Sequence, residues 1–227
     1  MKISVLIPTY NYGRFLPQAI ESVLAQTWRD FDVTVVDDGS DDDTALVCAR
    51  YAAVKYIALP HRGVGAARNA AVRASDGELI AFLDADDAFA PDKLEKQAAY
   101  LDAHPDCSVV FTRTRNFLDP SVTAPDPGQL AALNTPVPAA LPSALIRRGL
   151  FDTVGFFSEN CVRGEDTDWL LRAATTGFGT EHMIPEELYL RRIHAANTTI
   201  VNRLDKGQLL QMTRAAILAR KRKNAHE

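Results

Sequence analysis

The sequence predicts an α/β fold with a mostly parallel central sheet and helices on both of its faces. Short apolar runs that suit buried strands alternate with stretches in which apolar residues recur every three or four positions. Each of the first readable strands ends in a polar cluster. Strands that alternate with helices favour right-handed crossovers, and these place the strands parallel to one another.

The apolar runs predict five strands. They cover residues 3–7, 31–36, 54–59, 79–83 and 109–111. The first run is nearly continuous in apolar character and stops at Pro8, as expected of a strand that is buried on both faces.

Helical spacing follows most of these strands. The predicted helices cover residues 16–27, 44–51, 65–75, 91–104, 165–176 and 204–223. Pro91 suits the first turn of its helix, and Gly177 suits the end of the fifth one. In that fifth helix, Trp169, Leu170 and Ala173 are expected to face the core.

Residues 119–142 contain six prolines and show no periodicity. Two interpretations of this Pro-rich segment stay open: a loop or flap that becomes ordered on binding, and a tolerated surface insertion. The sequence shows no internal repeat and no clear domain boundary, so a chain of 227 residues is expected to form one main domain.

The composition excludes several classes of protein. A net charge of −4 gives no reason to expect nucleic acid as a partner. The three cysteines are far apart and outside any CxxC spacing, so neither a disulfide framework nor a zinc site is expected. The N-terminus lacks the pattern of a signal peptide, and no stretch approaches the ~20 apolar residues of a membrane span. The expected location is cytoplasmic.

Three carboxylates, Asp84, Asp86 and Asp87, follow the fourth strand directly. Ligands of open parallel sheets bind beyond the carboxyl ends of the strands. Because like charges repel and are costly to bury, a cation is expected among them. Mg²⁺ sites use one or two carboxylates plus substrate phosphates, so the spacing predicts Mn²⁺ or Mg²⁺ held together with a diphosphate. Helix caps and turn formers are the alternative role for such a cluster.

Six motifs occur in a characteristic order. They are "PTYN" at 8–11, "VVDDGSDDDT" at 35–44, "GVGAARNAA" at 63–71, "FLDADD" at 82–87, "GEDTDWLLRAATTG" at 164–177 and "LRRIHAANTT" at 190–199. In order and spacing they resemble the family 2 glycosyltransferases of GT-A fold. The likeness covers the chain to about residue 200.

The resemblance implies a single GT-A (Rossmann-like) domain over residues 1–203. Its nucleotide-sugar half covers about 1–118, the flexible Pro-rich segment 119–142 and the acceptor half 143–203. A C-terminal helix and basic tail follow at 204–227. The basic end of this helix offers a peripheral contact to anionic lipid, and a solvated helix end that suits the helix dipole is the alternative.

Carried over residue by residue, the resemblance implies a donor site. Thr9 and Tyr10 would border the base, and Asp38 would accept the imide N–H of uracil or thymine. The full set of expected donor-binding residues is Pro8, Thr9, Tyr10, Asp38, Arg62, Arg68, Asp84, Ala85 and Glu165. A turn with a helix cap is the alternative for Asp38, and a pairing with a site carboxylate is the alternative for Arg68.

The resemblance also implies a metal site and a base. Asp86 would bind the metal directly, and His194 would reach back to the metal or the diphosphate, unless this histidine is structural. Asp87 would brace the following turn. Asp166 would take the proton of the acceptor, while its neighbour Glu165 points elsewhere. A first-turn acid favoured by the helix dipole is the alternative for Asp166.

The expected activity is therefore that of a metal-dependent, inverting glycosyltransferase. Such an enzyme moves a sugar from a nucleotide diphosphate, UDP or else dTDP, to a hydroxyl group of a glycan or lipid-linked acceptor, in cell-surface glycan assembly. A nucleotidyltransferase is disfavoured because no glycine-rich, lysine-bearing phosphate loop is found near the N-terminus. The remaining alternative is a GT-A module that binds nucleotide or glycan without turnover, and a homodimer stays open.

Overall fold

The computed structural model describes residues 1–135, 139–161, 164–176, 182–195 and 197. Their strands are β1 (Ile3–Thr9), β2 (Phe31–Asp37), β3 (Val54–Ala58), β4 (Leu79–Phe82), β5 (Ala88–Phe89), β6 (Val109–Leu118), β7 (Ala144–Arg147) and β8 (Met183–Ile193). Their α-helices are α1 (Leu16–Leu24), α2 (Thr44–Cys48), α3 (Val64–Arg73), α4 (Lys93–Ala103), α5 (Pro127–Asn134), α6 (Leu150–Val154) and α7 (Glu165–Ala174). A short 3₁₀ helix covers Leu141–Ser143.

The strands form one sheet in the order β3-β2-β1-β4-β7-β6-β8-β5. The pairs β1–β2, β1–β4, β2–β3 and β6–β8 are parallel. β7 is antiparallel to both β4 and β6, and β5 is antiparallel to β8. The predicted, mostly parallel α/β fold is confirmed. The carboxyl ends of β1, β2, β4, β6 and β8 share one edge of the sheet, called the carboxyl edge below.

Two apolar cores lie on opposite faces of the sheet. Alternate residues of a strand point to opposite faces, so Ile3 and Val5 of β1 pack in the core that contains α1 and α4. Leu6 points the other way, into the core that contains α3, α6 and α7. Trp169 and Ala173 of α7 are fully buried in this second core, as the spacing in α7 predicts.

Three strands escape the sequence pattern. β5 and β7 have only two and four residues, too few to show a period. In β8 the buried positions stop for Pro185, Glu186 and Glu187, which are exposed. This interruption lies beside an irregular register with β6, where the strand pairing shifts after Thr112. A bulged pairing removes the strict alternation that identifies a strand.

The Pro-rich segment contains the helix α5, although its sequence has no helical period. The apolar residues of this helix are consecutive, so they do not mark one face. Its start is specified locally instead, because Asp126 and Gln129 form a reciprocal capping box and Pro127 occupies the first turn. The predicted C-terminal helix and basic tail, residues 204–227, lie outside the described residues. None of the described helices combines the length and the apolar character that crossing a membrane requires.

Candidate active site

The buried guanidinium of Arg68, on α3, links the end of β4 to the start of α7. Its Nη2 lies 3.2 Å from Asp84 Oδ1, and its Nη1 contacts Glu165 Oε1. The Arg68 side chain is only 5% exposed, so both contacts form where the local dielectric is low. The sequence leaves two roles open for Arg68, binding of the donor and pairing with a carboxylate of the site. The structure contains the pairing.

The carboxylates around Arg68 outnumber its positive charge. Burial raises the pKa of Asp84 to about 6; the carboxylates of Asp86, Asp166 and Glu165 add to this rise, and Arg68 opposes it. Burial also raises the pKa of Glu165. Although burial disfavours the charged form of Arg68, its pKa is raised by the surrounding carboxylates. This excess of negative charge favours binding of a cation.

Asp86 lies against the histidine at the end of β8. His194 Nε2 is 2.9 Å from Asp86 Oδ2, and His194 is almost fully buried, with Phe15 packed on its ring at a centroid distance of 4.4 Å. Asn197 orients this pair, because its Oδ1 accepts the His194 backbone N–H at 2.6 Å. The two predicted metal ligands thus meet, although 108 positions separate them in the chain.

The donor set of Asp86 and His194 fits a divalent cation. Adjacent ligands of an octahedral ion with bonds of 2.0–2.1 Å are about 3 Å apart, close to the 2.9 Å between these two atoms. No group of three or more His, Cys, Asp or Glu residues is arranged to hold a metal in the part of the chain that the structure describes. Two protein ligands suffice where waters and substrate phosphates complete the coordination.

Asp87 has a different role from the predicted one. Its buried carboxylate accepts hydrogen bonds from β8, from the Tyr189 hydroxyl and from the Arg192 backbone N–H at 2.7 Å. Only the backbone N–H of Asp87 braces the local turn, by donating to the Asp84 carbonyl at 3.0 Å. Burial raises the pKa of Asp87 well above its usual range, and Asp86 and Asp84 add to the rise. The side chain therefore ties β8, which leads into His194, to the end of β4.

Arg192, on β8, holds several segments of the carboxyl edge together. Its Nε donates to the Asp86 carbonyl at 2.7 Å, and its Nη1 lies 2.8 Å from Asp119 Oδ2. A cavity of about 250 Å³ opens beside it. The lining residues are Arg14, Phe15, Gln18, Asp119, Ser121 and Arg192. The arginine pair in "LRRIH" is the only sequence signal for this cluster.

Asp38, at the end of β2, anchors the loop that follows β3. Its Oδ1 accepts the Arg62 backbone N–H and its Oδ2 accepts the Gly63 backbone N–H, both at 2.8 Å. The Arg62 guanidinium points away from Asp38 and pairs with Glu159 Oε2 at 2.7 Å. Asp37 is a turn residue, since its carboxylate accepts from Ser40.

Two rings lie beside Asp38. His61, which the sequence pattern did not single out, has its Nδ1 at 2.9 Å from Asp38 Oδ2. The Tyr10 ring stacks on the His61 ring at a centroid distance of 4.2 Å. Thr9 is buried at the end of β1, and its Oγ1 has no hydrogen-bond partner in the described part of the chain. Pro8 and Ala85 are buried as well.

Asp166 lies in the first turn of α7, which follows Gly164 in a left-handed conformation (φ 76°). Its Oδ1 accepts the Thr167 backbone N–H at 2.7 Å. Its charge influences the pKa of both Asp84 and Arg68, so it lies near both groups. Glu165 points toward Arg68 instead, as expected for adjacent positions on a helix.

Comparison with known proteins gives consistent matches. Residues 4–159 match the family model described as glycosyl transferase family 2. An uncharacterized glycosyltransferase of Rickettsia conorii is 32% identical over 214 residues, 88% of this chain and 34% of that protein. The putative glycosyltransferase EpsE of Bacillus subtilis is 31% identical over 203 residues, 83% of this chain and 72% of that protein. The chain spans about a third of the length of the relatives from Rickettsia conorii, Rickettsia felis and Rickettsia bellii.

Two solved structures share the fold. S. aureus TarS 1-349 in complex with UDP-GlcNAc aligns with a TM-score of 0.76 and 22% identity, covering 96% of this chain and 66% of that one. The mannosyltransferase PcManGT from Pyrobaculum calidifontis, in complex with GDP-Man and Mn²⁺, aligns with a TM-score of 0.67 and 20% identity, covering 86% and 58%. At these identities the likeness concerns the fold alone.

Proposed function

The chain belongs to glycosyl transferase family 2, and from this premise we propose that it moves a sugar from a nucleotide diphosphate donor to a hydroxyl group of an acceptor. One observation carries the proposal. Asp84, Asp86 and His194 meet at the carboxyl edge beside the Arg68–Glu165 pair. Together these five residues lie on, or directly after, four separate elements: β4, β8, α3 and α7. Ligands of open α/β sheets bind at this edge.

The nucleotide would lie over the ends of β1 and β2. Pro8, Thr9 and Tyr10 end or follow β1, Asp38 follows β2, and Arg62 lies in the loop after β3. A UDP-sugar is the favoured donor and a dTDP-sugar the second, since both bases present an imide N–H to an acceptor at Asp38. The TarS complex contains UDP-GlcNAc, whereas the PcManGT complex contains GDP-Man. The shared fold therefore does not determine which nucleotide base is bound.

A divalent cation, Mn²⁺ or Mg²⁺, would be held by Asp86 and His194. When bound, it would offset the negative charge that grows on the departing diphosphate. The spacing of the two side chains and the excess of carboxylates around them support this assignment. Asp84, which is paired with Arg68, would contact the ribose or a water on the cation.

Asp166 would act as the base. It takes the proton of the acceptor hydroxyl while the acceptor oxygen bonds to the anomeric carbon and the bond from that carbon to the diphosphate breaks. A single in-line attack of this kind inverts the anomeric centre. Glu165, held by Arg68, fixes the start of α7 and with it the position of Asp166. The proposed acceptor is a glycan or lipid-linked hydroxyl used in cell-surface glycan assembly.

Nucleotide binding tests the donor proposal directly. UDP, dTDP, GDP and CDP are each titrated with Mn²⁺, with Mg²⁺ and with chelator, and the thermal midpoint is followed. A ligand at a hundred times its Kd stabilises by about 2.7 kcal/mol, or roughly 5 to 10 °C for a chain of this size. A rise with UDP that needs the metal supports the proposal, and no rise with any nucleotide contradicts it.

Two substitutions separate the roles of the acids. Asp86→Asn should abolish transfer and weaken metal-dependent UDP binding. Asp166→Asn should lower turnover by about 10²- to 10⁴-fold and leave UDP binding unchanged, because this side chain meets the acceptor. The matched control is Asp168→Asn, which also lies in the first turn of α7 but pairs with Arg172.

Product analysis decides between transfer and mere binding. The assay measures free UDP released from UDP-sugars in the presence of Mn²⁺. Full activity in Asp166→Asn would refute the base assignment. A protein that binds UDP to saturation but releases no free UDP from any UDP-sugar would be a binding module.

A further inference from the structure

The cavity beside Arg192 adjoins the proposed metal site without being part of it. Its volume is about 250 Å³, and Phe15 forms one of its walls. The same ring packs on the His194 ring at a centroid distance of 4.4 Å. Among the described residues, none that is assigned above to the donor, the cation or the base lines the cavity. What the cavity binds is therefore decided by its own side chains.

The hydrogen-bond acceptors in the lining are already occupied. Asp119 Oδ1 accepts the backbone N–H of Ser121 at 2.9 Å and the hydroxyl of the same residue, and Asp119 Oδ2 accepts from Arg192 Nη1 at 2.8 Å. Although burial opposes it, these bonds lower the pKa of Asp119 to about 2. Gln18 Oε1 accepts from Arg192 Nη2. The charges of Asp119 and Arg192 thus offset each other.

The groups that stay available are donors. Arg14 is exposed and packs its guanidinium on the Phe15 ring, 4.2 Å from the centroid. It has no carboxylate or carbonyl partner in the part of the chain that the structure describes. Because Gln18 turns its oxygen toward Arg192, its amide NH₂ offers two more donors, and these too lack a partner among the described residues. The lining therefore carries a net positive charge and unfilled N–H groups.

We propose that this cavity binds a phosphate group, either the free ion or the phosphate of a sugar. The charge of Arg14 disfavours a cation, and a ligand that only donates would find the acceptors of Asp119 and Gln18 occupied. Guanidinium groups pair readily with oxyanions. The volume is below the ~300 Å³ at which pockets for drug-sized ligands begin, as expected for a small ligand.

The placement of the donors favours phosphate over a planar carboxylate. Arg14 lies just before α1 and Gln18 within it, whereas Arg192 lies on β8. A tetrahedral phosphate presents oxygens toward both elements at once. The inference goes beyond the proposed function, since it concerns a second site and holds whether or not a nucleotide binds.

Calorimetry tests the proposal with inorganic phosphate, glucose 6-phosphate and glucose. The protein is freed of metal with a chelating resin, so that no cation recruits phosphate to Asp86. The pH is about 8, where a phosphate ester with a second pKa of about 6 is doubly charged, and the salt is low because salt screens the exposed Arg14. Phosphate or glucose 6-phosphate should bind, and glucose should not.

The order of the two affinities identifies the source of the phosphate. Tighter binding of glucose 6-phosphate than of inorganic phosphate would identify a sugar phosphate as the ligand. The reverse order would identify the free ion. Both results support the site.

Two substitutions assign the binding to this cavity. Arg14→Gln removes the guanidinium and should weaken phosphate binding by roughly 10- to 100-fold, as expected for hydrogen bonds to a charged group. Gln18→Glu keeps an oxygen that faces Arg192 but replaces the amide donors with negative charge, so it should weaken binding at least as much. Both side chains are exposed, so the fold should tolerate either change.

Arg73→Gln is the matched control. Arg73 is also exposed and lies over an aromatic ring, Phe156, at 4.5 Å from the centroid, but it ends α3, across the sheet from α1. This variant should keep the affinity of the unmodified protein for phosphate and for glucose 6-phosphate.

Four outcomes would overturn the inference. The unmodified protein binds neither phosphate nor glucose 6-phosphate; or it binds glucose as tightly as glucose 6-phosphate, so that the sugar is recognised. Unchanged affinity in Arg14→Gln and Gln18→Glu would place the bound phosphate elsewhere. Weaker binding of UDP with Mn²⁺ by Arg14→Gln would make the cavity part of the donor site. Failure of the donor proposal looks different, because UDP would then not bind while phosphate still did.

Discussion

At the scale of single residues, Asp84, Asp86 and Asp87 show how environment separates identical side chains. Asp84 is paired with Arg68, Asp86 faces a histidine, and Asp87 is buried against β8. The first two remain close enough to solvent to meet a ligand, whereas Asp87 is only 3% exposed. Three neighbouring carboxylates thus divide into two that solvent can reach and one that supports the fold.

Lys93, the first residue of α4, is a buried amine that has no carboxylate partner among the described residues. It is fully buried, its Nζ donates to Gln97 Oε1 at 2.7 Å, and it lies over the Phe89 ring. Burial lowers the pKa of Lys93 to about 7. An unfolded lysine has a pKa of about 10.4, so between about pH 7 and pH 10 the unfolded chain binds more protons than the native state. Within this window the Lys93 contribution to stability rises with pH.

Lys93→Met tests this sign. Near pH 7 the variant should be more stable than the unmodified protein by about 1 kcal/mol or more, because no amine has to be buried. The difference should shrink as the pH approaches 10. Thermal midpoints of both proteins between pH 7 and pH 10 check the trend, and a constant difference would refute it. Lys96→Met, on an exposed side chain of the same helix, is the control.

At the scale of elements, the start of α3 fits closely against the segment that precedes α7. A Cβ added at Gly65 would lie 2.7 Å from the Ser158 carbonyl oxygen and 3.6 Å from Glu165 Cγ. Asn69, one turn further along α3, bonds to both the N–H and the carbonyl of Phe157. This contact sets the distance between Arg68 and Glu165.

Gly65→Ala should therefore disturb both stability and the site. The new methyl group meets backbone rather than a flexible side chain, and such overpacking costs about 1–3 kcal/mol. Unfolding in urea measures this loss, and UDP release from UDP-sugars should fall as the start of α7 shifts. Gly149→Ala is the control, since nothing lies within 4 Å of its added Cβ and its φ is −57°. Equal stability of the two variants would contradict the expected contact.

Two consecutive arginines at the end of β7 cap the C-terminal ends of helices on opposite faces of the sheet. Arg147 donates to the carbonyls of Leu101 and Cys107, at and beyond the end of α4. Arg148 donates to the carbonyls of Val72 and Gly77, at and beyond the end of α3. Neighbouring residues leave a strand on opposite sides, and a cation near a helix C-terminus is stabilising.

At the scale of the whole molecule, Asp87 connects two halves of the carboxyl edge: the half that contains β1, β2 and β4, and the half that contains β6 and β8. Tyr189→Phe removes the hydroxyl that donates to Asp87 and leaves one oxygen of a buried carboxylate without that donor. Such a loss costs about 1–3 kcal/mol. The thermal midpoint should fall by roughly 2 to 4 °C for each kcal/mol. Metal-dependent UDP binding should weaken too, because β8 leads into His194.

Tyr100→Phe is the control for this substitution. Its hydroxyl makes a longer contact, 3.3 Å to His182 Nδ1, far from the carboxyl edge. It should leave UDP binding unchanged and lower stability less than Tyr189→Phe. If both variants had the same thermal midpoint and the same UDP affinity, the hydrogen bond from Tyr189 to Asp87 would not connect the two halves of the carboxyl edge.

The sequence by itself determined the α/β class, the first four strands, the polar clusters that follow three of them, and the inward face of α7. Each of these follows from local hydrophobic period or from motifs read in order, and both are written in consecutive residues. The order of the motifs also led to the family. The same information placed Asp84, Asp86 and His194 in one site through the resemblance alone, without any contact between them.

Only the tertiary structure decided which distant residues contact one another. The bond from Arg192 to Asp87 joins residues 105 positions apart, and the contact of His61 with Asp38 joins two loops. β5 and β7 are too short to carry a period, and they exist because neighbouring strands offer them hydrogen-bond partners. The physical reason is the same in each case. Local pattern records which surface of an element is buried, whereas packing of distant elements decides which groups meet there.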